Sequence, residues 1–351
     1  MMTEVIFPGG GNGALEGVAT GRRLPFYLAA EEYLARRPAG DGLFFLWQVG
    51  PTVIFGRNQD PSAELDMEWC RSAGVEYYRR KSGGGCVYAD RGNIMISCIY
   101  PGSGVKENFA KFSASVCGAL QSLGLPAEVS GRNDILIGGR KVSGSAFFAL
   151  PSSSVVHCTM LYDIDSASME AALSPSGLKL GSKGVRSVSA RVCTLKEFMP
   201  DLKPESLAYA LRASLSSSGA SGQLVLGEED VAEIEKIEMS YLDKDFILGR
   251  HGGRADGGRI VSGEGYVEGC GFIKAELHVV NDKILNVSLS GDFFAMEYGQ
   301  SQDVSESLSQ LLAGRVPSRR AVADALEGVE LGKMVRGLSA AAFVDILFRN
   351  C

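Results

Sequence analysis

The chain has 351 residues, 45% of them hydrophobic and 22% charged, which excludes a disordered polypeptide because ample apolar surface is available for a core. Its formal net charge is −6, and it has no run of five basic residues, so we expect no nucleic-acid partner. No apolar segment approaches the roughly 20 residues that cross a bilayer, and the N-terminal sequence lacks an export signal, so we expect no membrane partner either.

The first part of the chain predicts a short helix followed by strands. Leu24-Pro25-Phe26 leads into the segment LAAEEYLARR, which has amphipathic helical spacing and ends before Pro38. Apolar runs separated by Gly, Pro, Asn and Asp then predict strands at 43–48, 52–55, 75–80 and 94–100. Helical apolar spacing returns at 107–123.

The middle of the chain predicts a tight hairpin. Strands at 135–137 and 140–148 flank Gly138-Gly139, and such a pair supplies the positive φ angles that a two-residue turn requires. Another strand is expected at 155–162, and helices near 203–217 and 228–240.

The last hundred residues predict a small α+β unit. Glycine is abundant overall, with 44 residues, and nine of these fall in the window 249–271, which indicates a mobile linker. We therefore predict two domains, 1–246 and 247–351, the second beginning with this linker. A hairpin is expected across Asn281-Asp282, with strands at 273–280 and 283–289, and helices within 303–348.

A glycine-rich loop carries the densest chemical signal. The segment RRKSGGGCVY, residues 79–88, ends a strand in basic residues and continues into three glycines. Without Cβ atoms, such a turn can present successive N–H groups to an anion. Only one face of this strand can line a pocket, because Arg80 points away from Arg79 and Lys81. From this segment alone, a solvated surface loop is the alternative.

A second signal combines GRND, residues 131–134, with the hairpin and RKVSGSA, residues 140–146. Strand alternation predicts that Lys141, Ser143 and Ser145 share one face, with Val142 and Ala146 on the other. A strand lysine beside two hydroxyls suits a cation directed at a ligand. The alternative from this segment is a charge that protects an edge strand from aggregation.

The eight cysteines and three histidines offer no zinc spacing, since no two cysteines fall within five residues of each other. Scattered cysteines predict reduced thiols in a cytoplasmic protein. No order of serine, histidine and acid indicates a covalent nucleophile. His157 and Cys158 are neighbours in a predicted strand and face opposite ways, so they cannot form a pair.

Taken together, these segments resemble the lipoate–protein ligase A family. The matching stretches, in the family's order over about residues 24–200, are LPFYLAAEEYL, FFLWQVGPTVIFGRNQDPSAELD, YYRRKSGGGCVYADRGN, GRNDILIGGRKVSGSAFF and HCTMLYDID…KGVRSVSARVCTLKEF. The later ELHVVNDKILNVSLSGDFF is similar to the family's accessory domain. The resemblance implies an α+β fold of the class II biotin/lipoate ligase type. This fold is a mostly antiparallel sheet flanked by helices, plus a small C-terminal α+β accessory domain after the catalytic domain.

The resemblance also implies a reaction. ATP, with Mg²⁺, activates lipoate or octanoate to an acyl adenylate with release of pyrophosphate, and the acyl group then passes to a lysine of an apo-lipoyl domain. The implied acceptors are a 2-oxoacid dehydrogenase E2 domain or a glycine-cleavage H-type carrier. By resemblance, Lys141 is catalytic and bridges acyl and phosphate oxygens, while Arg80 and the Gly85–Tyr88 backbone hold the phosphates.

The resemblance assigns further residues to the site. Those expected to bind ATP or the acyl adenylate are Arg80, Ser82, Gly83, Gly84, Gly85, Cys86, Val87, Tyr88, Asn133, Asp134, Lys141, Ser143, Gly144, Ser145 and Ala146. No metal ligand is assigned, although Asp134 is a candidate. The chain departs from many relatives at Cys86 and Ala89, where Ala and His are common.

Two alternatives share the fold. Octanoyl- or lipoyl-transferases place a cysteine just upstream of the pocket lysine, and residues 130–134 contain none. A non-catalytic lipoate-binding pseudoligase would lose the cationic pair, yet Arg80 and Lys141 are both present. A biotin ligase would need a different glycine-arginine loop. The ATP-dependent ligase is therefore the favoured hypothesis.

Overall fold

A computed structural model describes most of the chain. The described residues are 2–8, 15–37, 40–102, 104–130, 133–173, 191–216, 222–249, 258–296 and 303–349. The predicted site residues all fall within these ranges, whereas part of the glycine-rich window, residues 250–257, lies outside them.

Fifteen strands are found in the described residues. They are β1 Thr3–Ile6, β2 Val18–Ala19, β3 Leu43–Trp47, β4 Thr52–Phe55, β5 Glu76–Arg79, β6 Val87–Ala89, β7 Asn93–Pro101, β8 Ala127–Val129, β9 Asp134–Ile137, β10 Arg140–Leu150, β11 Ser153–Leu161, β12 Gln223–Val225, β13 Arg259–Val267, β14 Gly271–Val280 and β15 Lys283–Gly291. The predicted strands are all present, with ends shifted by one or two residues. Sequence reasoning missed the short strands β1, β2, β6, β8 and β12, and also the longer β13.

The helices of the described residues flank these strands. They are α1 Leu24–Ala35, α2 Pro61–Glu64, α3 Met67–Ser72, α4 Val105–Ser122, α5 Ser166–Ala172, α6 Leu195–Phe198, α7 Pro204–Leu215, α8 Glu228–Tyr241, α9 Lys244–Leu248, α10 Val304–Leu312, α11 Arg319–Ala325 and α12 Ala340–Leu347. Within the described part of the chain, no helix is both long and apolar enough to span a membrane.

The strands form one large sheet and two small ones. The large sheet has the order β12-β1-β3-β7-β11-β10-β9-β8, with β2 beside β3. Its pairs from β3 to β8 are antiparallel, and the pairs of β1 with β12 and β3 are parallel. A second sheet, β5-β4-β6, ends at the glycine-rich loop. The predicted α+β class with a mostly antiparallel sheet is confirmed.

The predicted helix is confirmed as α1, but it is buried over its whole length, so its amphipathic spacing does not separate a buried face from a solvent-exposed one. It packs between the large sheet and α8 in a core that includes Trp47, Ile234 and Tyr241. Two consecutive acidic residues, Glu31 and Glu32, are at most 1% exposed. Buried carboxylates require hydrogen-bonding or charged partners, so both mark specific contacts described below.

The third sheet, β13-β14-β15, packs with α10, α11 and α12 around a separate hydrophobic core. The prediction of a mobile linker throughout 249–271 is therefore wrong, because β13 pairs with β14 along nine residues. A glycine of β13 allows close packing instead, because a Cβ at Gly263 would lie 1.9 Å from the carbonyl oxygen of Ile346. A boundary at residue 246 remains a prediction, and α9 spans that position.

We expect Gly263→Ala to destabilise the protein by about 1–3 kcal/mol, because the added methyl group would collide with backbone rather than with a movable side chain. Urea unfolding would measure the change. Gly40→Ala is the matched control, since a Cβ there would meet open space among the described residues. Equal stability of the two variants would contradict the close packing of β13 on α12.

The segment after β15 lies directly on the glycine-rich loop. The Gly84 N–H donates to the carbonyl of Phe293 at 3.2 Å, and the Gly291 N–H donates to the carbonyl of Asn58 at 2.8 Å. The ring of Phe294 stacks on Phe147 of β10 with centroids 5.0 Å apart. The third sheet therefore contributes to the same region of the molecule as the two sequence motifs.

Candidate active site

A cavity of about 300 Å³ lies where the large sheet, α1, the glycine-rich loop and the segment after β15 meet. Part of its wall is apolar and belongs to the core around α1, namely Leu28, Trp47, Ile54 and Met95. Another part is charged and contains Arg80, Asp134, Lys141 and Arg191. The cavity thus suits a ligand with an apolar portion and an anionic portion.

Lys141 lies at the charged part of this cavity with its side chain 15% exposed. Its Nζ is 2.7 Å from Oδ1 of Asp134 at the start of β9. Burial lowers the pKa of Lys141, and the carboxylate of Asp134 opposes that effect. The hairpin turn positions the pair, since Gly138 and Gly139 have φ angles of 57° and 75°, as predicted for a Gly-Gly turn.

Strand β10 departs from regular alternation beside Lys141. A register shift in its pairing with β9 falls between Lys141 and Ser143. As a result, Lys141 and Gly144 face the same cavity, whereas Ser143 is fully buried and does not appear in the described cavity wall. The prediction that Lys141 and Ser143 share a face is therefore wrong, because a bulge shifts the alternation by one residue.

Gly144 leaves room for the lysine. A Cβ at this position would lie 2.3 Å from Nζ and 2.5 Å from Cε of Lys141. Ser145 and Ala146 also line the cavity, and Asn133 joins β10 through reciprocal 2.8 Å hydrogen bonds with the Ser145 backbone. Six residues of the second sequence motif line the cavity, namely Asn133, Asp134, Lys141, Gly144, Ser145 and Ala146, and residues 131 and 132 lie outside the described part of the chain.

Arg80 is buried, and its guanidinium organises the glycine-rich loop. Its Nη2 donates to the carbonyls of Gly83 and Gly85 at 2.7 Å, and its Nη1 donates to the carbonyl of Ile54 at 3.0 Å. Burial lowers the pKa of Arg80 to about 10, so it remains charged at neutral pH. Because its N–H groups hold loop carbonyls, the contact of Arg80 with a phosphate remains a prediction.

The glycine-rich loop faces two directions. Gly84, Gly85, Cys86 and Val87 line the cavity. Gly83 instead touches the segment after β15, where a Cβ would lie 2.5 Å from the carbonyl oxygen of Phe293. Two more predicted residues, Ser82 and Tyr88, are buried beside the loop. The alternative of a solvated surface loop is excluded for residues 82–85, which are buried or partly buried.

Asp134 connects two cations. Its Oδ2 lies 2.5 Å from Nη2 of Arg191, and its Oδ1 is paired with Lys141. Both carboxylate oxygens are therefore in ion pairs, which does not suit a metal ligand. Among the described residues, no cluster of three or more His, Cys, Asp or Glu side chains could hold a metal ion. The residues present do not fit a protein-only Mg²⁺ site.

A buried hydrogen-bonded chain leads from α1 to the loop. Nδ1 of His157 is 2.9 Å from both carboxylate oxygens of Glu31, and Nε2 is 2.8 Å from Oγ of Ser82. Ser82 in turn accepts a 2.9 Å hydrogen bond from Nε of Arg80. On the other side, Ser97 donates to Glu31 at 2.5 Å. His157 itself lines the cavity.

Sequence reasoning missed Glu31, His157 and Arg191 as site residues. Each of them lies within a stretch that matched the family, so the resemblance could have drawn attention to them. The alternation of side chains along the strand was applied to His157 only to ask whether it could pair with its neighbour Cys158. Residues of the third sheet region, Asp292 and Phe294, also line the cavity. Their proximity arises from tertiary packing, for which the sequence offers no local signal.

Family models match both parts of the chain. The lipoyl protein ligase A/B catalytic domain matches residues 24–216, and the bacterial lipoate protein ligase C-terminus matches residues 263–347. Lipoate-protein ligase LplJ of Bacillus subtilis is 33% identical over 328 residues, covering 92% of this chain and 96% of that protein. Lipoate–protein ligase 1 of Staphylococcus aureus is 32% identical, covering 80% of this chain and 84% of that protein.

Solved structures agree with the fold. A lipoate complex of LipL1 from P. falciparum superposes with a TM-score of 0.72 at 16% identity, covering 98% of this chain and 97% of that one. An ATP-bound lipoate-protein ligase A superposes with a TM-score of 0.60 at 21% identity, covering 71% and 99%. At such identities the likeness concerns the fold alone. The family models and the B. subtilis relative together show that this chain is an enzyme of the lipoate–protein ligase family.

Proposed function

We propose that this enzyme activates lipoate with ATP and transfers the lipoyl group to a lysine of an acceptor lipoyl domain. The observation that carries the proposal is the buried Lys141, which stands at the charged part of a cavity whose other wall is apolar. An aliphatic acid fits such a cavity with its chain against Trp47 and Ile54 and its carboxylate near Lys141. The relatives named for lipoate, and the ATP and lipoate complexes of the same fold, support this assignment.

In the first step, a carboxylate oxygen of lipoate attacks the α-phosphorus of ATP, the bond to the β-phosphate oxygen breaks, and pyrophosphate leaves. Two anionic groups approach each other, so a fixed cation between them lowers the barrier. We assign this role to Lys141, with the loop N–H groups at Gly85 and Cys86 on the phosphate side. Mg²⁺ would accompany the nucleotide, since it is commonly bound through substrate phosphates.

In the second step, the acceptor lysine attacks the acyl carbon, the bond between acyl carbon and AMP oxygen breaks, and AMP leaves as the amide forms. The attacking amine must be neutral, although a free lysine has a pKa of about 10.4. Acceptor candidates are E2 lipoyl domains and glycine-cleavage H-type carriers; a lipoate ligase of the same fold has been solved in a study of its E2 lipoyl domain.

Transfer from a cysteine-bound acyl group is less well supported. Cys158 lines the cavity, but burial raises its pKa to about 12, so it is a protonated thiol at neutral pH. A cytoplasmic location also remains a prediction.

The test compares two acyl donors. With wild-type protein, lipoate and ATP should release pyrophosphate and add a lipoyl mass to an apo-lipoyl domain, whereas octanoyl-carrier protein without ATP should give no transfer. Labelling from the carrier protein without pyrophosphate release would identify a transferase instead. Binding of lipoate without either product would indicate the pseudoligase.

Removing the charge of Asp134 should change the pH dependence of adenylation. The Asp134 carboxylate raises the pKa of Lys141 against the effect of burial, so Asp134→Asn should lower that pKa. The ammonium form is then lost at lower pH, and the alkaline decline of pyrophosphate release should move to lower pH. Pyrophosphate release measured from pH 6 to 10 would check this; an unchanged alkaline limb would contradict the pairing.

A further inference from the structure

The chain Glu31–His157–Ser82–Arg80 spans a large separation in sequence and links a core helix to the loop that borders the cavity. Glu31 comes from α1, His157 from β11, and Ser82 and Arg80 from the segment after β5. Glu31 and Ser82 are at most 1% exposed, so solvent does not compete for their hydrogen bonds. Such buried polar networks persist where every member has a partner.

The chemistry of its two ends fixes the direction of the two outer hydrogen bonds. A guanidinium only donates, so Nε of Arg80 donates to Ser82. A carboxylate only accepts, so the proton on the imidazole is at Nδ1, directed to Glu31. Nε2 of His157 and the hydroxyl of Ser82 lie 2.8 Å apart and form the hydrogen bond between these two ends. Every member of the chain therefore has a partner.

A second donor keeps Glu31 in place. Ser97 donates to Oε1 of Glu31 at 2.5 Å, and the indole N–H of Trp47 donates to Ser97 at 2.8 Å. Because Trp47 lines the apolar wall of the cavity, the Glu31 carboxylate is connected to that wall through Ser97. The chain therefore begins beside the apolar part of the cavity and ends at the loop.

Arg80 connects this hydrogen-bonded chain to the conformation of the glycine-rich loop. Its remaining hydrogen bonds go to the carbonyls of Ile54, Gly83 and Gly85. A carbonyl turned toward Arg80 orients the peptide unit to which it belongs, and with it the N–H group of the next residue. The orientation of the loop N–H groups therefore depends on where the guanidinium lies.

We infer that Glu31 and His157 are positioning residues for nucleotide binding, acting through Ser82 on Arg80 and thereby on the conformation of the glycine-rich loop. The inference rests on the proposed function because it takes ATP as the ligand of that loop. Neither residue needs to touch the nucleotide. The effect of Glu31 passes through three hydrogen bonds and that of His157 through two, and both should concern ATP more than the acyl substrate.

Ser82→Ala gives the cleanest interruption, since it separates Arg80 from His157 and leaves the His157–Glu31 contact intact. We expect the KM for ATP to rise about tenfold, as for the loss of a hydrogen bond to a charged group, with lipoate affinity changed less than about threefold. Glu31→Ala should raise the KM for ATP similarly, and Glu31→Gln, which retains one acceptor oxygen, should have a smaller effect. Calorimetric titration with ATP alone, without lipoate, measures binding apart from turnover.

The decisive measurement is a double-mutant cycle on the KM for ATP. Because both substitutions interrupt one chain, the double variant Ser82→Ala/Glu31→Ala should be no worse than the weaker-binding single variant. Glu4→Ala is the matched control: it removes another buried carboxylate, which pairs with Arg212 at 2.6 Å, whereas Glu32 bonds Lys81 of the loop segment and Tyr241. It should leave the KM for ATP within about threefold of wild type, with additive effects when combined with Ser82→Ala.

Several outcomes would overturn the inference. These are an unchanged KM for ATP in Ser82→Ala or in both Glu31 variants, additive effects of Ser82→Ala and Glu31→Ala, or an equal rise for Glu4→Ala. If Glu31→Ala does not fold, the cycle is carried out with Glu31→Gln. Absence of lipoate-dependent pyrophosphate release in the wild-type protein would count against the proposed function, whereas an active wild type with insensitive variants would refute the inference alone.

Discussion

Lys141→Ala should lower the rate of lipoate-dependent pyrophosphate release by about 10²–10³-fold, as for the loss of one preorganised electrostatic contact in a desolvated site. Lys141 is mostly buried, it borders the cavity, and it is paired with Asp134. After the substitution, the approaching carboxylate and α-phosphate would lack the cation that separates their charges, while Asp134 would keep its pair with Arg191.

Pyrophosphate release and thermal unfolding should be measured together on this variant. Lys196→Ala is the matched control, because Lys196 is outside the cavity wall as described and hydrogen-bonds the carbonyl of Pro200 at the surface. We expect its activity to stay near that of the wild type. If Lys141→Ala retained normal adenylation while folded, the assignment of the catalytic cation would be wrong.

Gly144→Ala should reduce adenylation by about 10- to 100-fold without unfolding the protein. The added methyl carbon would come within 2.3 Å of Nζ of Lys141, the mobile end of a flexible side chain, so the lysine moves rather than the backbone. The φ angle of Gly144 is not positive, and alanine therefore fits the local conformation. Displacement of a catalytic group by about 1 Å can reduce the rate 10²-fold.

Separating activity from stability distinguishes this effect from general damage. Gly50→Ala is the matched control, since a Cβ at Gly50 would have open space among the described residues. Urea unfolding of both variants should resemble the wild type, while only Gly144→Ala should lose pyrophosphate release. Unimpaired activity of Gly144→Ala would mean that Lys141 reaches the reacting groups from another position.

The sequence was sufficient where the signal was local. The Gly138-Gly139 pair predicted the turn between β9 and β10 because few other residues adopt two positive φ angles in succession. The order of five family motifs likewise implied the fold and the reaction. These features depend on residues that are close in the chain or on characteristic stretches.

Local sequence patterns gave wrong predictions where tertiary packing determines the structure. The glycines of 249–271 indicated a linker, whereas Gly263 and Gly265 lie in β13 against α12 and Arg349, because absence of a side chain serves close approach as well as flexibility. Regular alternation put Ser143 beside Lys141, whereas the bulge removed it from that face. A one-residue register shift has no signature in the local sequence.

The amino-acid sequence by itself indicated the family and the two chemical motifs, and through the resemblance it predicted a catalytic role for Lys141, since all three depend on short stretches. Only the tertiary structure decided that Glu31 and His157 support the glycine-rich loop and that Phe294 closes part of the same cavity. The physical reason is that a buried carboxylate needs a hydrogen-bonding partner, and His157, the partner of Glu31, lies 126 residues away in the chain.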